Sequence, residues 1–232
     1  MAAMSAAVEG LVERDFDAGE ILVREGERGD SLFLISQGQV RVTRIAGDGE
    51  VVVHDGRMWH LGSGADVWWS TDGAAWTCAT ENAPYGNRTA SAVAVFEGKL
   101  WLMGGYTQQP NDPPEKSYPQ YTTHNDVWAS RDGATWERVL EHAPWTPRMW
   151  SIARAYAGEL WIIGGFDNAN SANLGDVWHT RDGTLWTKLE ARTTFAPRHE
   201  PTCYVYENSL WVIAGNTWPV VNDAWRLTFG DD

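Results

Sequence analysis

Three arginines recur in one local context. "APYGNR" ends in Arg88, "APWTPR" in Arg148 and "TTFAPR" in Arg198. A guanidinium is a planar fork of donors that matches a carboxylate or sulfate two bonds at a time. Three such forks at equivalent places would suit an anionic ligand. Tyr106, Tyr121, His124, Trp145, Trp150 and Trp218 add rings of the kind that stack on sugars or clamp a peptide. A structural role stands beside this one. An arginine that recurs in every repeat can pair with Asp66, Asp126 and Asp176, or with backbone carbonyls, and the recurrence favours that role.

Other chemistry is poorly supplied. His54, His60, His124, His142, His179 and His199 show no metal-ligand spacing and read as surface or turn residues. Cys78 and Cys203 form neither a disulfide framework nor a metal pair. Glu200 and Tyr204 lie near Arg198 in sequence, which does not make them a catalytic pair. No Ser-His-Asp arrangement can be read. The sequence therefore assigns no catalytic residue, no cofactor and no metal.

The elements that position these residues come from repetition. "DVWASRDGATW" (Asp126–Trp136) has relatives at Asp66–Trp76 and Asp176–Trp186, and a shorter echo, "NDAWRL", begins at Asn222. Upstream of each lies a second phrase: "GRMWHLGSG", "GKLWLMGGY", "GELWIIGGF" and "NSLWVIAGN". Its equivalent positions, Met58, Leu100, Leu160 and Leu210, are 42, 60 and 50 residues apart. Periods of this size belong to stacked β units such as propeller blades. Each unit reads as four short strands, a to d. "SAVAVF" (Ser91–Phe96) is a strand a, the "EGK" turn leads to strand b, and "RDG" turns strand c into strand d. Gly73, Gly133 and Gly183 should take positive φ in a three-residue hairpin loop. That register places Trp128 opposite Trp136.

Composition sets the outer limits. The chain has 232 residues and a formal net charge of -13. Such acidity excludes nonspecific binding to nucleic acid or anionic membrane. No run approaches the roughly 18 apolar residues of a membrane span. The opening "MAAMSAAVEGLVERDF" has no basic region followed by an apolar run, so no signal peptide is read and a reduced, cytoplasmic protein is the default. All 15 tryptophans lie at or beyond Trp59. That shift marks a boundary near residue 50, dividing the chain into segments 1–50 and 51–232.

Residues 51–232 resemble the kelch family of β-propellers, which includes galactose oxidase-like proteins. The resemblance rests on Gly104–Gly105 and Gly164–Gly165 after strand b, the preceding Leu-Trp, and the Asp-Val-Trp that opens strand c. The "SRDGATW" turn is also similar to a shortened Asp-box of sialidase-type propellers. The resemblance implies an all-β, kelch-like propeller of about four blades, incomplete because the second tryptophan of the last repeat would fall at position 233. Galactose oxidase-type chemistry would need two His and two Tyr copper ligands, and sialidase chemistry a Tyr–Glu pair with three arginines. Neither set can be placed on these positions.

Residues 16–50, "FDAGEILVREGERGDSLFLISQGQVRVTRIAGDGE", resemble the opening of a cyclic nucleotide-binding domain through Gly19, Gly26, Gly29, Asp30 and Gly38. The resemblance implies a partial jelly roll. In that family a later cassette, with Gly-Glu and an Arg, holds the cyclic phosphate, and none follows here.

The first expectation is a non-enzymatic propeller that binds a protein, peptide or carbohydrate. Its site would lie on the face of the d-to-a and b-to-c loops, which carries the three arginines and the aromatic set. The rivals are a galactose oxidase-like or sialidase-like enzyme and a cyclic nucleotide-responsive protein. Open blade edges predict a homodimer, a poorly soluble monomer, or closure of the last blade by Gln39–Arg44.

Overall fold

The computed structural model describes residues 50–108, 121–191 and 194–227. The chain divides into two compact units, Met1–Ile45 and Ala46–Asp232, and every described residue belongs to the second. The segment 1–49, including Gln39–Arg44, lies outside the described residues. Among the described residues there is no helix, and every paired strand is antiparallel in an open sheet.

The first sheet holds β1 (Glu50–His54), β2 (Arg57–Leu61), β3 (Val67–Ser70) and β4 (Thr77–Thr80), side by side in chain order. The second holds β5 (Ala92–Phe96), β6 (Lys99–Met103), β9 (Val127–Ser130) and β10 (Glu137–Leu140), and the connection from β6 to β9 carries a separate hairpin of β7 (Tyr106–Gln108) and β8 (Tyr121–Thr123). The third repeats this plan with β11 (Ile152–Tyr156), β12 (Glu159–Ile163), a short hairpin of β13 (Phe166–Asp167) and β14 (Ala172–Asn173), then β15 (Val177–Thr180) and β16 (Thr187–Lys188). The fourth has three described strands, β17 (Thr202–Tyr206), β18 (Ser209–Asn216) and β19 (Val220–Leu227).

The turn between β5 and β6 has two residues, Glu97 at φ 50° and Gly98 at φ 65°. Two successive positive φ angles match the twist of the strands they join. The corresponding turn at Asp55–Gly56 has the same form.

In the first three sheets the last two strands are joined by a longer loop than the spacing predicts. Arg131–Trp136 separates β9 from β10, and the ladder pairs Trp128 with Arg138, so Trp128 does not face Trp136 across the strands. Hydrogen bonding inside the loop explains the difference. Ser130 Oγ accepts from the Gly133 amide at 2.8 Å, and Asp132 Oδ1 accepts from the Ala134 and Thr135 amides at 2.9 and 2.7 Å. The Trp136 indole then folds back and donates to Gly133 O at 2.9 Å. The same bonds recur around Asp72 and Asp182. The two tryptophans meet edge-on against Tyr85 of the preceding segment, with ring centroids at 6.3 and 5.1 Å.

Between sheets the core is layered. β5 lies against β1, β11 against β5 and β17 against β11. Trp59 and Leu61 of the first sheet pack with Leu100, Leu102 and Trp128 of the second. Trp101 and Met103 pack with Leu160 and Ile162 of the third, and Trp161 and Ile163 with Leu210 and Val212 of the fourth. Gly133 lies under Trp59, where any Cβ would overlap the indole, and Gly183 lies under Trp101 in the same way. Glycine is therefore required at Gly133 twice over, by φ +70° and by this close approach.

Candidate functional site

The three arginines are buried in one repeated arrangement. Arg88 sends Nη1 to Asp126 Oδ1 and Gly104 O, Nη2 to Asp126 Oδ2, and Nε to Tyr85 O. Arg148 makes the same four bonds to Asp176, Gly164 O and Thr146 O, at 2.8 to 3.0 Å. Arg198 makes them to Asp223, Ala214 O and Ala196 O. Each guanidinium thus ties the entry of a sheet's first strand to the exit of its second and the start of its third. Two of the three expected aspartates, Asp126 and Asp176, are partners. Asp66 receives no arginine among the described residues and accepts from the Trp68 indole at 2.6 Å, while Asp223 takes the third fork. In each of the other pairs the carboxylate also accepts a tryptophan indole two residues on.

Charge accounting agrees with that geometry. Burial pulls the Asp126 and Asp176 carboxyls up, but the hydrogen bonds and charge of Arg88 and Arg148 outweigh it and hold both below the usual carboxylate range. The Arg198 hydrogen bonds bring Asp223 down to about 2. The forks face protein partners, so contact with a bound molecule would fall to the side chains around them.

Those side chains are aromatic and form one continuous run. Tyr121 lies 4.2 Å from Tyr106, and Tyr106 lies 6.4 Å from Trp150, between ring centroids. Trp150 meets Phe166 at 5.8 Å and His199 at 5.2 Å, and His199 meets Trp218 at 5.4 Å. Tyr106, Tyr121, Trp150 and Phe166 are half-buried, and Trp218 is 69% exposed. His124 is half-buried beside them, with Nε2 3.1 Å from Thr107 Oγ1. Trp145 departs from the expected face. It is 1% exposed and packs edge-on with Trp186 in the core, because the Arg148 fork draws its loop inward over the ring.

Two members of the run, Phe166 and His199, are not singled out by the sequence reading. A signal for both was present. Phe166 follows Gly164–Gly165 as Tyr106 follows Gly104–Gly105, and His199 follows Arg198 as Thr89 follows Arg88. The backbone pairs those positions as Thr89 with Tyr106, Met149 with Phe166, and His199 with Asn216. His199 is 3% exposed and so is no surface residue. Its Nδ1 lies 2.6 Å from Asn173 Oδ1, and Asn173 Nδ2 donates to Asn216 O. An amide oxygen can only accept, so Nδ1 carries the proton and the neutral ring keeps Nε2 as an acceptor. Burial pushes the His199 imidazole below its usual value. His179 is also more than a turn residue: it stacks on Trp161 at 4.5 Å and lies 2.8 Å from Glu159 Oε2.

The residue two after each arginine has an unusual backbone. Ala90, Trp150 and Glu200 all have positive φ, at 56°, 56° and 50°. Neighbouring sheets hold them there: the Trp150 amide donates to Ala90 O at 3.1 Å, and the Glu200 amide to Trp150 O at 2.9 Å. The long connection after Tyr106 is described only at its two ends, and residues 109–120 lie outside the described set. Among the described residues no three His, Cys, Asp or Glu side chains come together as metal ligands.

Comparison with known proteins addresses the two parts of the chain separately. A family model, the cyclic nucleotide-binding domain, matches residues 13–65. The match runs 15 residues past the boundary near residue 50 and takes in β1 and β2, which the structure builds into the first four-stranded sheet. The described sheets are similar to the solved structure of YjhT, with a TM-score of 0.58 and 15% identity. That likeness covers 73% of this chain and 57% of the YjhT chain, so this chain matches a little over half of that protein's length. At this identity the likeness is one of fold. The chain as a whole is all-β over its described residues, and it contains a stretch similar to a cyclic nucleotide-binding domain.

Proposed function

We propose that the four sheets are blades of a kelch-type propeller that binds a protein, peptide or carbohydrate and catalyses no reaction. The observation that carries this reading is the run of ring contacts from Tyr121 to Trp218, whose members are partly exposed except the buried His199. The propeller assignment is supported by the repeated four-strand order and by first strands that lie against one another from sheet to sheet. Arg88, Arg148 and Arg198 stand behind the binding face and hold it in shape, Trp150 and Trp218 meet the ligand, and the buried His199 supports the two rings from beneath. A face of partly exposed rings, behind which the arginine forks are already paired, suits a polyhydroxylated or peptide-like ligand better than a small anion.

The test is a screen of the full chain against neutral oligosaccharides and against peptides, with hits measured by calorimetry. Trp218→Ala removes a ring that is 69% exposed and should leave the fold intact. It should weaken binding about tenfold, equivalent to about 1.4 kcal/mol. Trp150→Ala should weaken it at least as much. Binding unaltered in both variants would place the site elsewhere, and two empty screens would remove the reading.

The family match over residues 13–65 favours a second reading, a protein whose first segment responds to cyclic nucleotide. The match stops at residue 65, and from Asp66 the chain is already the first Asp-Val-Trp phrase. The Gly-Glu cassette that the resemblance calls for does not follow. Titration with cyclic AMP and cyclic GMP should give no saturable heat at micromolar concentration. Saturable heat with either would put this reading first.

A further inference from the structure

Indole N–H groups divide the tryptophans of this chain into two kinds. Of the 15, 11 donate Nε1 to a carbonyl or carboxylate of the protein. Those bonds recur from sheet to sheet and belong to the scaffold. Trp145 has no acceptor and is sealed in the core, and Trp69 lies under the Arg57 guanidinium. Trp150 and Trp218 remain. Among the described residues neither indole has an acceptor in the protein, and neither is sealed off: Trp150 is half-buried and Trp218 is 69% exposed.

Acceptors beside these two rings are in the opposite state. Asn173 Oδ1 accepts from His199 Nδ1, and Asn216 Oδ1 accepts from the Trp218 amide at 2.9 Å. The Asp167 carboxylate accepts within its own turn, from the Ala169 and Asn170 amides and from Asn170 Nδ2. The carbonyls of Trp150, Phe166 and Asn216 each accept a backbone amide. The exposed Glu200, next to His199, is the exception. The face thus offers rings and unused donors but few unused acceptors. A complementary ligand presents apolar rings and carbonyl oxygens, with few N–H or O–H groups to satisfy. Sugar hydroxyls donate as well as accept. Proline brings a ring and a carbonyl and has no N–H. A polyproline helix has no internal hydrogen bonds, so its carbonyls are open, and one side recurs every three residues. The Trp150 and Trp218 rings, 5.2 and 5.4 Å from His199, are no more than about 11 Å apart, compatible with one such turn of about 9 Å.

We propose that Trp150 and Trp218 receive a proline-rich peptide segment in the polyproline conformation. Prolines three apart seat on the two rings, and each indole N–H donates to a carbonyl of the segment. This rests on the reading of the aromatic run as a binding face and narrows it to one ligand class. A preformed extended helix meeting aromatic side chains has little chain entropy left to lose. The Glu200 carboxylate favours a basic residue beside the prolines over an acidic one.

The probes are acetylated, amidated peptides added to the full chain. One has prolines three apart, and its twin has the same composition with prolines two apart. Calorimetry should show the first binding at least about tenfold tighter than the twin. Trp150→Phe and Trp218→Phe each keep a ring and remove the N–H, and each should weaken the first peptide about tenfold. In proton–nitrogen spectra the indole signals missing from these two variants should move on titration, while the scaffold indoles stay in place. A twin that binds as tightly as the first peptide overturns the proposal. So does a Trp218→Phe variant that binds like the parent. Neutral oligosaccharides are titrated alongside: if one binds in a Trp218-dependent way and the proline peptide does not, the binding face stands and the ligand class is wrong. If neither binds, both fall.

Discussion

Arg148→Met separates a structural fork from a ligand-binding one. The Arg148 side chain is 0% exposed, and its four hydrogen bonds run to Asp176 and two carbonyls. Methionine keeps much of the stem volume and removes every donor. Asp176 would keep one indole bond, from Trp178, and would lose its counter-charge. Breaking one partner out of a buried ion pair costs about 3–5 kcal/mol, because the other charge is left uncompensated. Asp176 is 17% exposed, which lets water reach it and points to the lower end, about 3 kcal/mol. Set against a total stability of about 5–15 kcal/mol, that is a large fraction. Urea unfolding followed by tryptophan fluorescence measures it. Arg181→Met is the control: Arg181 is 85% exposed in its pair with Glu159 and should cost less than about 1 kcal/mol. If Arg148→Met costs no more than the control, the arginines do not hold the sheets together and the reasoning fails.

Gly133→Ala and Gly98→Ala place the same methyl group at similar positive φ, but only the first meets the Trp59 ring. Gly133→Ala should therefore cost about 1–3 kcal/mol more than Gly98→Ala, and equal thermal melts would show that the ring seat carries no weight. Stability should fall in two stages on acidification. His199 and His124 have folded values lowered by burial, so the stability they contribute is complete above the unfolded value of about 6.5 and declines as pH falls through the folded ones. Asp223 and Asp182, both held at about 2, contribute above the free carboxylate value of about 3.9 and lose it as pH falls toward 2. Urea midpoints from pH 8 to 2 check both stages; a flat profile between pH 7 and 5 would remove the first.

Strand positions were legible because two cheap signals coincide. The Leu-Trp runs are short and continuously apolar, as strands covered on both faces are, and β6 and β12 each bury four residues in succession; Glu97–Gly98 closes a two-residue turn. The Asp-anchored loop was legible in composition but not in register. Six residues separate the strands, and only the inward bond from Trp136 to Gly133 O reveals that the second indole leaves the ladder. Two of the three aspartates named as arginine partners, Asp126 and Asp176, do take forks, and Asp223 takes the place of Asp66. Asp223 was passed over because its repeat reads Asp-Ala-Trp and not Asp-Val-Trp. Trp145 and His199 were mistaken for face and surface residues because their burial depends on how neighbouring sheets meet, which no local pattern records.

Repetition inside one chain also separates what the backbone needs from what it tolerates. Arg88, Arg148 and Arg198 have one identity because one bonding pattern is required of them. Two residues on, Ala90, Trp150 and Glu200 share a backbone and nothing else. Holding a non-glycine residue at positive φ costs on the order of 1–3 kcal/mol, and glycine would avoid the cost. The chain keeps side chains there, and one is the tryptophan that touches Tyr106, Phe166 and His199. A strained position that varies between repeats serves something other than the shared scaffold. Trp150 is therefore the position at which replacement should most alter what this face recognises while leaving the repeated arginine bonds in place.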